Sequence, residues 1–217
     1  MFVGSRMKHP VITIGPKTSL DEALSLMADE HIRRLPVVDQ SGSLIGIVTE
    51  LDLLKASPSS ATSLNVWEIK SLLSAYPVEK IMSREVFSAS EDLPIEEAAR
   101  IMADHKIGGL PVIRGDSVVG IITETDIFKA FLEVFGAREA GLRLTVELEK
   151  TPGVLAKLTQ AIFELGGNII SLGSFLGENS KSSELVMRID GVEEKPLLSA
   201  IKPFVTRVVD IRDCAGC

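Results

Sequence analysis

Apolar and polar residues follow two alternating periods along this chain, and the same succession of periods occurs twice before a third arrangement replaces it. PVITI (10–14) is a short apolar run ended by Gly15-Pro16, which predicts a strand followed by a breaker. Ser19 with Glu22 three residues on reads as a capping box, and Leu20, Ala23, Leu24 and Met27 share one face of the helix it opens. RLPVVD and LIGIVT are β-rich runs around the turn-prone QSGS, and a short helix is expected from Glu50. Displaced by 75 residues the order returns, with Ile95, Ala98, Ala99 and Met102 on the helix, GLPVIR and SVVGIIT around GD, and a helix from Glu124. Met7 falls on Met82, Val11 on Val86, and LPVV (35–38) on LPVI (110–113). After one deletion near Gln40 the offset becomes 74, so that GIVTELD (46–52) meets GIITETD (120–126). Two copies of one β-α-β-β-α unit are predicted.

Between the copies, SPSSATS (57–63) reads as a loop and LNVWEIKSLLSAY as a connecting helix, with Trp67 and Tyr76 expected to anchor it by packing. After Gly136 the pattern changes. LRLTVELE alternates as a half-buried strand does, TPGVLAKLTQAIFELGG reads as a helix, NIISLGSFL and SSELVMRID are strands joined through GENSK, VEEKPLLSAIKP is a second helix, and VTRVVDIRD a last strand. That βαββαβ order is the ferredoxin-like split-βαβ arrangement, with the boundary placed near 137–141. The expected fold class is α+β. The expected organisation is a first repeat over 1–57, a linker with a helix over 58–77, a second repeat over 78–136, a βαββαβ domain over 141–213 and a tail over 214–217.

The duplicated T-x-x-D carries two readings. A threonine at a helix start with an acid three residues on resembles a capping box, and Asp52 and Asp126 suit the positive end of the helix dipole. The capping reading leaves Gly46 and Gly120 unexplained, since glycine weakens a strand unless something approaches closely. A fixed carboxylate beside a hydroxyl also suits a donor pair, and the cis-diol of a ribose is one. A phosphate would need cations elsewhere: HIRRLP offers His31, Arg33 and Arg34, while its counterpart KIGGLP offers Lys106 and two glycines. Two sites of unequal affinity are expected, the phosphate-bearing ligand taking the one that Arg34 lines.

These repeats resemble a pair of cystathionine-β-synthase-type (CBS) domains, which assemble as a Bateman module. The resemblance covers residues 1 to about 135 and implies binding of an adenosine compound (AMP, ADP, ATP or S-adenosylmethionine) as a regulatory ligand. Carried over, the ribose contacts are Thr49, Asp52, Thr123 and Asp126. The base or phosphate is lined by Ile32, Arg34, Ile107 and Gly109, and Thr13 and Ser88 assist from the first strand. TPGVLAKLTQAIFELGGNIISL resembles an ACT domain, an amino-acid-sensing fold, whose effector residues would be Thr151, Pro152, Gly153, Val154 and Asn168. Lys150 stands where that family often has an acid for an α-amino group, which gives weight to dimerisation beside amino-acid sensing. The whole order is similar to acetoin-utilisation AcuB-type proteins.

The composition narrows the function classes. With 24% charged and 45% hydrophobic residues and a net charge of -7, the chain reads as soluble and globular, and the acidic balance argues against nucleic acid. No apolar run of signal-peptide or membrane-spanning length occurs, so a cytoplasmic protein without membrane association is expected. His9, His31 and His105 lack metal-ligand spacing, and Glu50/Asp52 and Glu124/Asp126 point to different helix faces, so neither metal nor catalysis is expected. Cys214 and Cys217 have C-x-x-C spacing, readable as a redox pair, half a zinc site or an inert tail, and the tail is the reading taken. The expectation is a non-enzymatic sensor with no obligatory cofactor, forming a homodimer with an unidentified protein partner. Its alternative is a ligand-free dimeric interaction scaffold with vestigial pockets.

Overall fold

The computed structural model describes residues 1–58, 65–177 and 181–214. Most of the SPSSATS loop, most of the GENSK turn, and residues 215–217 with Cys217 lie outside the described residues. The chain divides into two compact units, Met1–Ile127 and Phe128 onward. The division falls inside a helix, upstream of the 137–141 boundary suggested by the change of pattern.

In the first unit α1 (Leu20–Asp29) opens with the capping box anticipated at Ser19, whose hydroxyl accepts from Glu22 N while its own N–H donates to the Glu22 carboxylate. β1 (Arg34–Val38) and β2 (Leu44–Thr49) pair antiparallel, and α2 (Glu50–Ala56) follows directly. The connecting helix α3 (Val66–Ala75) is capped by Asn65. The second copy supplies β3 (Ala89–Ser90), α4 (Ile95–His105), β4 (Gly109–Arg114), β5 (Ser117–Thr123) and α5 (Glu124–Val134). β3 runs parallel to β4, and β4 antiparallel to β5.

Three expectations need correction. The strand over 10–14 reduces to a bridge at Ile14, which donates to Pro36 O and accepts from Val38 N before Gly15 and Pro16 turn the chain away. Trp67 is 81% exposed and so is not a buried packing anchor among the described residues. Tyr76 is also exposed, its ring 4.9 Å from Lys80 Nζ.

The repeats exchange their opening segments. Val3, wholly buried, packs with Ala98, Met102, Leu110, Val112 and Ile122 of the second copy, whereas Val78 and Met82 pack with Leu20, Ala23, Leu35 and Val48 of the first. Backbone bonds tie the exchange down: Val3 N donates to Leu93 O, Lys8 N to Ile121 O, and Ile47 N to Ser83 O. Each core is therefore completed by residues outside its own stretch of 1–57 or 78–136. The exchange also explains the two glycines. A Cβ on Gly46 would lie 2.6 Å from Met82 Sδ, and one on Gly120 would collide with Met7 Sδ and sit 3.0 Å from its Cγ. The close approach that these glycines permit comes from the other repeat's methionine.

The second unit contains β6 (Gly141–Glu149), α6 (Val154–Glu164), β7 (Asn168–Leu176), β8 (Ser182–Asp190), α7 (Glu194–Ile201) and β9 (Arg207–Cys214). The antiparallel sheet has the order β7-β8-β6-β9, as the ferredoxin-like reading requires. Leu144, Val146, Met187 and Ile189 on one sheet face and Leu158, Ile162, Leu197 and Ile201 on the helices are buried together in its core. Cys214 ends β9 opposite Gly141, so it belongs to the sheet and not to a tail. The last turns of α5 belong to this unit, and Phe135 presses where a Cβ on Gly173 of β7 would stand.

Candidate functional site

β2 and β5 end alike, because each threonine leaves the strand extended and the helix begins at the next residue. Thr49 N and Oγ1 both donate to Asp52 Oδ2, at 3.0 and 2.6 Å, and Thr123 N and Oγ1 donate to Asp126 Oδ2, at 2.9 and 2.6 Å. The reciprocal capping box is complete at Thr49, where Asp52 N also donates to Thr49 Oγ1, and at Thr123 the half that ends on the Asp126 carboxylate is present. The arrangement uses one oxygen of each carboxylate, and among the described residues no partner takes Oδ1, so capping leaves an acceptor over.

Two cavities adjoin these helix starts, and the internal repeat relates them. One, of about 260 Å³, is walled by Lys8, Pro10, Val11 and Ile12, by His31 to Arg34, and by Ile121, Thr123, Glu124 and Thr125. The other, of about 490 Å³, is walled by Ser83 and Glu85 to Phe87, by Lys106 to Gly109, and by Ile47 and Thr49 to Asp52. Each thus combines the threonine turn of one repeat with the segments before and after the first helix of the other. Both cavities share Arg33, Arg34 and Gly108. Among the ten residues anticipated for the nucleotide, Thr123 and Ile32 reach the smaller cavity, Thr49, Asp52, Ile107 and Gly109 the larger, and Arg34 both. Asp126 is 6% exposed and lines neither. Thr13 and Ser88 are half-buried and line neither.

Arg34 resolves the asymmetry between HIRRLP and KIGGLP. A Cβ on Gly108 would collide with Arg34 Nη2 and lie 2.9 Å from Glu124 Oε2, and one on Gly109 would lie 3.3 Å from Arg34 Cδ. The guanidinium occupies the room that the two glycines leave. Burial holds its pKa below the usual guanidinium range; Glu124 opposes that shift and Arg33 adds to it. The expectation that Arg34 belongs to one pocket is corrected, because it lies between the two.

The remaining charges distinguish the cavities. Lys8 and His31 join the two arginines around the smaller one, against Glu124. Around the larger one Lys106 joins them, against Glu50, Asp52 and Glu85. His31 and Lys106 hold φ of 53° and 54°, a left-handed conformation costing a non-glycine residue about 1 kcal/mol. Both are followed by the same bond, Ile32 N to Met27 O and Ile107 N to Met102 O, which turns the chain from helix into strand beside the cavity. Sequence reasoning passed over Lys8, Glu124 and Phe87 as cavity residues. The first two carry no local signal, and Phe87, whose ring stacks on His105 at 3.8 Å, becomes legible only when the repeats are paired crosswise.

In the second unit Thr151, Pro152 and Gly153 are exposed in the turn between β6 and α6, and Val154 packs on the core. Asn168 pairs with Asp190 at one end of β8, while Glu149, just before that turn, pairs with Ser182 at the other. Those ends are about 27 Å apart at the rise of an extended strand, so one chain does not bring Asn168 to Thr151. Among the described residues no group of His, Cys, Asp and Glu could hold a metal ion, and no helix is long and apolar enough to cross a membrane.

The family model described as CBS domain matches residues 3–59 and 78–133, and that described as TTHA0829-like ACT domain matches 140–212. L-aspartate semialdehyde sulfurtransferase of Methanocaldococcus jannaschii is 33% identical over 126 residues, 58% of this chain and 22% of its own. The CBS domain-containing protein YhcV of Bacillus subtilis is 30% identical over 58% of this chain and 81% of its own. Among relatives the covered share varies widely, and the chain spans about a third of MJ1404 of Methanocaldococcus jannaschii, to which it is 34% identical over 65% of its own length. Among solved structures, the CBS domain pair of protein MJ0100 in complex with 5′-methylthioadenosine and S-adenosyl-L-methionine is 31% identical, covering 64% of this chain and 98% of that one with a TM-score of 0.52. An acetoin utilization protein (AcuB) from Vibrio cholerae is 34% identical at the same coverage and TM-score. CBSX2 in complex with AMP is 26% identical over 61% and 97%, with a TM-score of 0.51.

Proposed function

This chain belongs to the CBS-domain family, carrying two CBS domains and a TTHA0829-like ACT domain, and from that premise we propose that it is a non-enzymatic regulatory protein whose CBS pair binds an adenosine-containing nucleotide. The observation that carries the reading is the pair of related cavities, each holding a threonine at a helix start and both bordered by Arg34. Binding of AMP by one relative and of S-adenosylmethionine with 5′-methylthioadenosine by another supports the ligand class.

In this reading Thr49 and Asp52 hold the ribose in the larger cavity and Thr123 holds it in the smaller. The free Oδ1 of Asp52 is the acceptor left for the diol, while Asp126 lines no cavity and acts from behind Thr123 by holding its hydroxyl. Arg34 meets the phosphate. Lys8 and His31 direct a phosphate-bearing ligand to the smaller cavity, and the three carboxylates around the larger one suit an adenosine compound without phosphate, such as cationic S-adenosylmethionine. Ligand between the repeats shifts the population of their relative arrangements. The ACT unit dimerises or senses a second small molecule. Its sheet ends in β9, an edge strand with Val208 and Val209 exposed, which suits pairing with another copy.

Isothermal titration calorimetry of the whole chain with AMP, ADP, ATP, S-adenosylmethionine and 5′-methylthioadenosine tests the proposal. Saturable heat is expected from at least one. Asp52→Ala is expected to weaken binding about 10- to 100-fold through loss of a charge-assisted bond. Asp126→Ala, whose carboxylate lines no cavity, is expected to weaken it less. Each removes the carboxylate that accepts from the threonine at the helix start and costs about 1 kcal/mol of stability, visible in denaturant titration. No heat from any of the five compounds would leave the dimeric scaffold as the surviving reading.

A further inference from the structure

The last turns of α5 and the helix-free face of the second unit's sheet border an open cavity of about 370 Å³ that has no part in the nucleotide reading. Its walls are mainly of two kinds, and Glu184 is the one carboxylate of the described residues that borders it. Phe131, Phe135 and Phe175 form a continuous aromatic side, with ring centroids 4.6 Å apart for the first pair and 5.7 Å for the second. Arg188 supplies the other side. It is 6% exposed, donates from Nη1 to the carbonyl of Glu139, and leaves its buried Nε without a partner. No carboxylate of the described residues lies within ion-pair distance of it. Arg143, also on the wall, is differently placed, since its Nη1 already donates to Thr145 Oγ1 at 3.0 Å and Asp210 Oδ2 at 3.1 Å.

A buried guanidinium with one neutral acceptor is costly, because burial strips its hydration and no carboxylate among the described residues pairs with it. The shortfall is one anion with acceptors in a plane, and a carboxylate matches a guanidinium in that way. The aromatic side requires that the rest of the ligand be apolar, and the volume admits a molecule of amino-acid size. We infer that this cavity is a binding site for a small organic carboxylate with an apolar, preferably aromatic, body, its carboxylate on Arg188 and its body against the three phenylalanines. The site is separate from the strand–helix turn at Thr151 to Val154, and it does not depend on nucleotide binding in the first unit.

The test uses the whole chain with phenylacetate and 3-phenylpropionate as probes and phenylacetamide as the uncharged isostere, followed by thermal shift and calorimetry. The carboxylates are expected to raise the melting temperature and to bind at least ten-fold more tightly than the amide. Arg188→Gln is expected to abolish that rise while leaving the unliganded melting temperature unchanged or higher, since a buried unpaired charge is gone. Phe135→Leu is expected to weaken binding several-fold. The response to AMP should be the same in Arg188→Gln as in the parent, which separates this site's failure from failure of the nucleotide reading. Equal binding of acid and amide, or an undiminished response in Arg188→Gln, would overturn the proposal. So would no binding by either acid accompanied by a change of oligomeric state in Arg188→Gln, an outcome that assigns the missing anion to a second copy of the chain.

Discussion

Gly46→Ala is expected to lower the stability of the first unit by about 1–3 kcal/mol, as extra volume forced into a packed core does, although alanine in a strand is ordinarily no worse than glycine. The added Cβ would stand 2.6 Å from Met82 Sδ, 2.9 Å from its Cγ and 3.1 Å from the carbonyl of Ser83. Met82 is 7% exposed and packed in the first repeat's core, so it has little room to retreat. The Ser83 carbonyl accepts from Ile47 N at 3.0 Å, so backbone movement would loosen the exchange between repeats as well. The double variant with Met82→Ala gives the decisive measurement. Met82→Ala alone should cost about 2–5 kcal/mol for the emptied volume, and the two changes together should cost at least about 1 kcal/mol less than their sum, because the new methyl enters the vacated space. Denaturant titrations of the four proteins, followed by far-ultraviolet circular dichroism, report the coupling. Strict additivity, or a neutral Gly46→Ala, would mean that the methionine does not hold the glycine in place.

That expectation shows where sequence reasoning reaches and where it stops. The Ser19–Glu22 capping box, the strands at 168–176 and 182–190 and the helix at Glu50 depend on residues within a few positions of each other, and they are legible because their causes are local. The repeated Gly was legible as a position needing close approach, but not what approaches it. Met7 and Met82 recur at the same offset, and only the fold reveals that each serves the opposite repeat. The 10–14 segment failed as a strand because its neighbour, and not its composition, limits its pairing to Ile14. The burial tendency of tryptophan predicts an anchor at Trp67, but it says nothing about what covers that helix face, and Trp67 is 81% exposed. At the site the same division holds. The Thr and Asp of each motif were visible as a unit, whereas Lys8, Glu124 and Phe87 enter the cavities through crosswise pairing, and Asn168 is parted from Thr151 by the length of β8.

Crosswise pairing also sets the second large effect, which concerns Arg34. Arg34→Ala is expected to weaken AMP binding about 10- to 100-fold, the loss of a charge-assisted bond in a partly buried place, and to change the affinity for adenosine or 5′-methylthioadenosine by less than about three-fold. The reason lies in position. The guanidinium lies against Gly108 and Gly109 and borders both cavities, so it meets a phosphate from either side but cannot neutralise two at once. A second AMP should therefore bind more weakly than the first in the parent protein, and that difference should shrink in Arg34→Ala. Lys8→Ala provides the comparison, since Lys8 borders the smaller cavity but not the larger. It should lower the affinity of the tighter AMP site and leave the weaker one unchanged. Gly108→Ala approaches the same point from the opposite wall, because its Cβ would take the place of Arg34 Nη2. Displacing the guanidinium in that way should reproduce part of the Arg34→Ala loss for AMP with every charged residue still present. Calorimetric titrations of the three variants with AMP and with adenosine decide the matter. Parallel losses for both ligands would show that Arg34 shapes the cavity wall and does not read the phosphate, and two equal AMP sites in the parent would remove the competition for it.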